Sequence, residues 1–265
     1  MIQKVLQTQK HEIFYRMTGT GKPVVFIHGF GEYGTIWDGL VNDLQNQFQC
    51  IVPDVPGSGK SIMKKGEWTM EGLAESIKSI LDHEGIQKSA IIGHSMGGYI
   101  SLAFAEKYVK SLAGLGLFHS SAFADSEEKK ATRKRGIQFI EEYGTAKFLE
   151  QSTPNLFSDD FKNGHADIVK ELIERYTNFQ DGALVHYYHA MMQRSDRTHI
   201  LKNYPGPVLF ILGENDTAIP LADGLKQCHM PRLSYIHILR KSGHMGMIEE
   251  TDKCREILQN FLQGL

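Results

Sequence analysis

Cysteine is scarce. Cys50, Cys228 and Cys254 are the only ones in 265 residues, with no C-x-x-C pair and no ligand-like spacing. An odd, scattered set argues against a disulfide framework and fits a reducing compartment. No run approaches the roughly twenty apolar residues that a membrane-spanning helix requires. The first residues, Met1-Ile2-Gln3-Lys4-Val5-Leu6-Gln7, lack the apolar stretch of a secretory signal. The expectation is a soluble, cytoplasmic chain. Positive charge is not in excess either: the formal net charge is −2 and no basic stripe is visible, which argues against a nucleic-acid partner. The one cationic cluster, Lys129, Lys130, Arg133, Lys134 and Arg135, follows Glu127 and Glu128 and reads as a solvated helix face. No H-E-x-x-H helix, internal repeat or low-complexity tract occurs.

What is present suits one α/β domain with an insertion. Apolar content of 41% and charged content of 23% leave material for a sizeable core. Lys4 to Thr18 alternates around His11-Glu12, the pattern of a hairpin of two short strands. Val24-Val25-Phe26-Ile27, Cys50-Ile51-Val52, Ala90-Ile91-Ile92, Leu115-Gly116-Leu117-Phe118 and Val208-Leu209-Phe210-Ile211-Leu212 are continuous apolar runs, and Tyr235 to Leu239 is a weaker one. Such runs belong to parallel strands covered on both faces. Between them lie helical patterns, as in Leu73, Ile77, Ile80 and Leu81, in Met96 to Tyr108 and in Cys254 to Leu262. The alternation points to a parallel sheet with helices on both faces. It breaks from Ser121 to Ile200, where helical patterns alone remain. Residues 1–120 and 201–265 are therefore expected to form the core domain and 121–200 a helical cap over the strands' C-terminal ends.

Two glycine loops mimic nucleotide sites. Gly29-Phe30-Gly31-Glu32-Tyr33-Gly34 fits G-x-G-x-x-G after a strand, with Asp54 twenty positions beyond. Thr35, however, is the better N-cap, which starts the helix too late to meet a pyrophosphate. Gly59-Lys60-Ser61 resembles the end of a P-loop, but Asp54 stands where the first glycine belongs, and no helical stripe follows.

The strongest signal is Gly93-His94-Ser95-Met96-Gly97-Gly98, placed between a strand and a helix. G-x-S-x-G in that setting is a nucleophile elbow: glycines permit the tight turn, and the serine is held in a strained backbone above the sheet edge. A serine hydroxyl needs a base. His244, in Ser242-Gly243-His244-Met245-Gly246, follows the last strand and reaches the same edge. Asp216, in Gly213-Glu214-Asn215-Asp216 after the preceding strand, is the orienting carboxylate, with Glu214 and Asp125 as fallbacks. The chain order Ser, Asp, His is the one this architecture requires. The Met96 N–H at the helix start and the Phe30 N–H after the first parallel strand are the candidate oxyanion donors. His28 reads as a loop brace, and His186 and His189 as surface residues of the cap.

Together with Trp37 and Asp54-Val55-Pro56-Gly57-Ser58-Gly59-Lys60-Ser61, these motifs resemble the α/β-hydrolase superfamily from about residue 23 to the C-terminus. The resemblance implies a mostly parallel, eight-stranded sheet with a helical cap inserted after strand six. It also implies a Ser95–Asp216–His244 triad with main-chain groups of Phe30 and Met96 as the oxyanion hole. Dehalogenases and epoxide hydrolases of this fold carry aspartate at the elbow, so Ser95 argues against both. Esterases, monoglyceride lipases, enol-lactonases, carbon–carbon hydrolases and haloperoxidase-like enzymes share Ser-Met-Gly-Gly or a close variant. Gly-His-Ser-Met-Gly-Gly is frequent among the first two.

The expectation is a serine hydrolase forming an acyl-enzyme on a small to medium, mainly apolar ester, with no metal or cofactor. The cap is rich in large apolar groups, among them Phe123, Phe139, Phe148, Tyr188 and Met191. Phe123 and His119 are the candidate substrate contacts, although His119, just past a strand end, also suits a hydrogen-bonded structural role. A small-ligand sensor of the same fold, and a lyase or perhydrolase using the same triad, are the competing readings. Oligomeric state is not legible.

Overall fold

The computed structural model describes residues 1–265. Its strands are β1 Ile2–Gln7, β2 His11–Thr18, β3 Lys22–Ile27, β4 Phe48–Pro53, β5 Ile62–Met63, β6 Ser89–His94, β7 Leu112–Phe118, β8 Val208–Gly213 and β9 Ser234–Leu239. They form one sheet in the order β1-β2-β4-β3-β6-β7-β8-β9, with β5 beside β2. From β4 to β9 every neighbouring pair is parallel, whereas β1, β2 and β5 pair antiparallel. The sheet thus has nine strands rather than eight. The addition is β5, whose two residues are too short to show in any sequence pattern.

Side-chain alternation divides the core into two layers. Val25, Ile27, Ile91 and Phe210 face a cluster that includes Leu73, Ile77 and Ile100, on α2 Met70–His83 and α3 Met96–Tyr108. Val24, Phe26, Ile92 and Ile211 face Leu40 on α1 Asp38–Leu44 and Ile257, Leu258 and Phe261 on the C-terminal helix. Burial on both faces is why β6 and β8 lack polar alternation. The α2 helix starts where Thr69 Oγ1 accepts from the Gly72 N–H at 3.0 Å, a side-chain cap.

Two local expectations shift. The first hairpin turns at Thr8–Lys10, because Thr8 Oγ1 accepts from the Lys10 and His11 N–H groups at 3.2 and 2.8 Å, so His11-Glu12 opens β2 instead of forming the turn. After the glycine run a 3₁₀ turn, Gly34–Trp37, precedes α1, with Tyr33 rather than Thr35 at its N-cap. The Thr35 hydroxyl instead pairs with that of Tyr176 at 3.2 Å.

Between β7 and β8 lie only helices: α4 Glu127–Tyr143, α5 Thr145–Ser152, α6 Asp159–Gly164, α7 Ala166–Arg175, α8 Ala183–Gln193 and α9 Thr198–Asn203. They are tied to the strand-end loops by directed bonds. The Tyr187 hydroxyl donates to Pro56 O at 2.6 Å, the Gly59 N–H to Asn178 O at 2.9 Å and the His244 N–H to Leu156 O at 2.6 Å. After β8 come α10 Leu221–Leu225, α11 Gly246–Glu249 and α12 Thr251–Gln263. Because β3, β6, β7, β8 and β9 run parallel, the loops that follow them meet at one edge.

Candidate active site

Ser95 stands between β6 and α3 with φ 50° and ψ −114°, a conformation that L-residues rarely adopt. Neighbouring chain holds it there. Its N–H donates to Phe118 O at 2.9 Å, and its carbonyl accepts from the Gly98 N–H at 2.9 Å and the Ser120 hydroxyl at 2.7 Å. A Cβ on Gly97 would run into the main chain of Ile27 and His28, and one on Gly93 into that of Gly97. Both glycines are steric necessities.

Asp216 follows β8 and is buried. Its Oδ1 accepts from the Ala218 and Ile219 N–H groups, both at 2.8 Å. Its Oδ2 accepts from His244 Nδ1 at 2.7 Å and His119 Nδ1 at 3.1 Å. Burial alone raises a carboxyl's pKa, but here the charge of His244 and the hydrogen bonds from both rings outweigh it and hold Asp216 well below the usual range. Of the two fallbacks, Glu214 is exposed and Asp125 pairs with Arg133 and Arg194. Neither meets His244.

The His244 loop is braced from both sides. Glu249 Oε1 accepts from the Gly243 and Met245 N–H groups at 2.9 and 3.1 Å, while its Oε2 takes the Ser158 N–H of the helical insertion at 2.8 Å. Bonding of Nδ1 to Asp216 leaves Nε2 as the free nitrogen of the His244 ring. Ser95 and His244 line one cavity of about 160 Å³. Phe30, Phe148 and Tyr188 form its aromatic wall, with Phe30 stacked on Tyr188 at 4.3 Å and edge-on to Phe148 at 6.1 Å. The Phe30 N–H has no acceptor in the protein, and the Met96 N–H, as the first of α3, has none within its helix.

The two candidate substrate contacts lie elsewhere. His119 is fully buried at φ 48° behind Asp216 and does not border the cavity. Its Nε2 accepts from the Gly246 N–H at 3.3 Å, which leaves the proton on Nδ1 for the carboxylate. Burial lowers its pKa to about 4 despite the neighbouring Asp216, so this ring is neutral. Phe123 is also outside the cavity lining. Its carbonyl accepts from Arg194 Nη2 at 2.9 Å. The ligand atoms of His119, Asp216 and His244 lie within 4.8 Å of one another, close enough for a metal ion. A single oxygen already accepts from both rings, so imidazole protons occupy that geometry.

A second buried pair, absent from the sequence reading, underlies the elbow. Glu32 Oε2 accepts from the Gly29 N–H at 2.8 Å and from His94 Nδ1 at 3.0 Å. His94 Nε2 faces the His244 carbonyl at 3.0 Å. With an acceptor at each nitrogen, the ring satisfies both only as the imidazolium. Burial opposes that charge, but Glu32 and the carbonyl overcome it and raise the His94 pKa. Glu32 is lowered in turn, as the His94 charge and the Gly29 N–H outweigh burial. His28 is a neutral brace: Nδ1 donates to Gly29 O at 2.8 Å and Nε2 accepts from the Val55 N–H at 2.9 Å.

Asp54, which imitated a ribose ligand, accepts from the Gly34 and Lys60 N–H groups, each at 2.9 Å. Both its oxygens are spent inside the protein. Arg133 departs from the solvated face expected of its cluster. Only 17% of its side chain is exposed, and it borders the cavity.

A family model described as alpha/beta hydrolase fold matches residues 22–251. Among curated proteins, the acetyltransferase component of the acetoin cleaving system of Pseudomonas putida is 27% identical over 92% of this chain, which spans 64% of that protein's length. A 2-hydroxy-6-oxononadienedioate/2-hydroxy-6-oxononatrienedioate hydrolase of Pseudomonas sp is 23% identical over 90% of this chain and 87% of its own. Among solved structures, a thermophilic esterase from Thermogutta terrifontis superposes with a TM-score of 0.92 at 27% identity, covering 100% of this chain and 99% of that one. No helix is long and apolar enough to cross a membrane.

Proposed function

Because the chain belongs to the alpha/beta hydrolase fold family, we propose that it is a serine hydrolase cleaving a small to medium, mainly apolar ester. Ser95 is the nucleophile, His244 the general base and Asp216 the carboxylate that orients the base. The observation that carries this reading is the Asp216–His244 bond of 2.7 Å, which leaves Nε2 free on a ring bordering the same cavity as Ser95.

As Ser95 Oγ attacks the acyl carbon, its proton passes to His244 Nε2, and Asp216 stabilises the imidazolium. The Phe30 and Met96 amides receive the oxyanion, each worth about 10²–10³ in rate. Collapse expels the alcohol, which takes the proton from His244. Water, deprotonated by the same ring, then releases the acid. These steps ask for no cofactor. Residues 1–120 and 201–265 act as the core and 121–200 as the cap that closes the cavity. Three buried, unpaired thiols suit a reducing cytoplasm. The ester preference leans on the likeness to the Thermogutta esterase, and the aromatic wall suits an apolar acyl group.

A fluorophosphonate probe is expected to label the wild type and not Ser95→Ala, and p-nitrophenyl butyrate to be turned over repeatedly. Ser95→Ala is expected to cost about 10⁵-fold or more in kcat. No labelling, or one burst followed by silence, would overturn the proposal.

A further inference from the structure

We propose that the substrate carries a carboxylate besides its scissile ester, and that Arg133 is the residue that recognises it. The inference rests on the serine-hydrolase reading and narrows its substrate class.

Charge does not balance at this end of the cavity. Asp125 is a single, fully buried carboxylate serving two guanidinium groups. Arg133 donates to it through Nε at 2.6 Å and Nη2 at 3.2 Å, and Arg194 through Nη1 at 2.8 Å. One positive charge is left over, and the bonding shows where it is available. Arg194 is consumed by the fold: Nη1 also donates to Met191 O at 2.8 Å, Nη2 to Phe123 O at 2.9 Å, and its Cζ lies 3.8 Å from the centre of the Tyr99 ring. Arg133 is not consumed. Its Nη1 has no acceptor in the protein, and its side chain borders the cavity with Ser95 and His244.

Glu32 and His94, the other charged groups on that lining, offset each other, and the Glu32 carboxylate is held by the His94 ring and the Gly29 N–H. An anion entering the cavity therefore meets a free guanidinium N–H in a low-dielectric, aromatic setting, where a charge-assisted hydrogen bond is strong. One free nitrogen and one surplus charge match a monoanion. A phosphate monoester, with two charges and three acceptor oxygens, asks for more donors than this end supplies. Arg133 also lies 5.6 Å from the centre of the Tyr188 ring, and Tyr188 stacks on Phe30, so the cation is fixed relative to the loop that carries the Phe30 N–H.

The test is a ratio of kcat/KM values: p-nitrophenyl hydrogen glutarate over p-nitrophenyl butyrate for a carboxylate on the acyl side, and 3-acetoxybenzoate over phenyl acetate for one on the alcohol side. In the wild type at least one ratio is expected to exceed unity. Arg133→Gln is expected to lower it about 10- to 100-fold, the worth of one hydrogen bond between charged groups, and Arg133→Lys to restore part of it. Arg133→Gln leaves Asp125 paired with Arg194. Should that variant not fold, inhibition of the wild type decides: glutaramate, a monoanion, is expected to compete with butyrate ester turnover about tenfold better than neutral glutaramide. Ratios unmoved by Arg133→Gln, or equal inhibition by the two compounds, would overturn the proposal. Absence of turnover on every ester, charged and neutral alike, would instead sink the serine-hydrolase reading, so the two failures differ.

Discussion

Two buried carboxylates face histidines at the rim of the sheet, and they serve opposite ends. Glu32 has one histidine, His94, whose two nitrogens are both committed, to Glu32 and to the His244 carbonyl. Asp216 has two, His119 and His244, and only His244 keeps a nitrogen unspent. A saturated ring fixes geometry. An unsaturated one can move a proton. Residue type does not separate the two pairs; the count of acceptors around each ring does.

The largest break in the comparison is expected from Asp216→Asn. An amide carries no charge to stabilise the His244 cation, and its NH₂ can donate to Nδ1 and hold the wrong tautomer, so kcat/KM is expected to fall about 10⁴-fold with the fold retained. A loss below tenfold would remove Asp216 from the mechanism. Glu32→Gln tests the brace. It strands a buried imidazolium, which costs about 3–5 kcal/mol in urea unfolding near pH 6. A destabilisation under about 1 kcal/mol would show that His94 is neutral.

The smallest effect is also the sharpest, because the two supporting histidines should bend stability in opposite directions with pH. His94 is raised above its ordinary 6.5, so its contribution is full below that value and is lost as pH rises through the raised one. Glu32 is lowered from 4.5, so its share is present above that value and is lost as pH falls through the lowered one. The pair is thus fully effective only between about pH 4.5 and 6.5. His119, at about 4, behaves conversely. As pH falls from 6.5 the unfolded chain takes up a proton that the folded ring refuses, and stability drops. His119→Gln should flatten that acid slope, and His94→Gln the alkaline one. Identical slopes in both variants would contradict the contrast drawn here.

Much of the fold was legible because strand signals are local. Val24–Ile27, Ala90–Ile92 and Val208–Leu212 each fall inside an observed strand, and Met96 to Tyr108 is a helix as read. The mostly parallel sheet and the helical run after β7 followed from those patterns, and the family from the likeness of the motifs around Ser95, Asp216 and His244. The elbow was legible for the same reason: its glycines are required within a few residues of Ser95. Partners distant in sequence were not. Glu32 and His94 are 62 positions apart, and no spacing rule links them. Arg133 carried the one usable hint, Asp125 eight positions earlier, but four neighbouring cations masked it as a solvated face. Glu249 and Glu250, which hold the His244 loop, gave no signal beyond two acids near a helix start.

The amino-acid order by itself determined the sheet, the elbow and the chain order of Ser95, Asp216 and His244, since each depends on neighbours a few residues away. Only the tertiary structure decided which histidine keeps a free nitrogen, which is charged, and which arginine faces the cavity. Those properties depend on acceptors and counter-charges brought together from distant segments, and on burial deep enough for one unmatched group to matter.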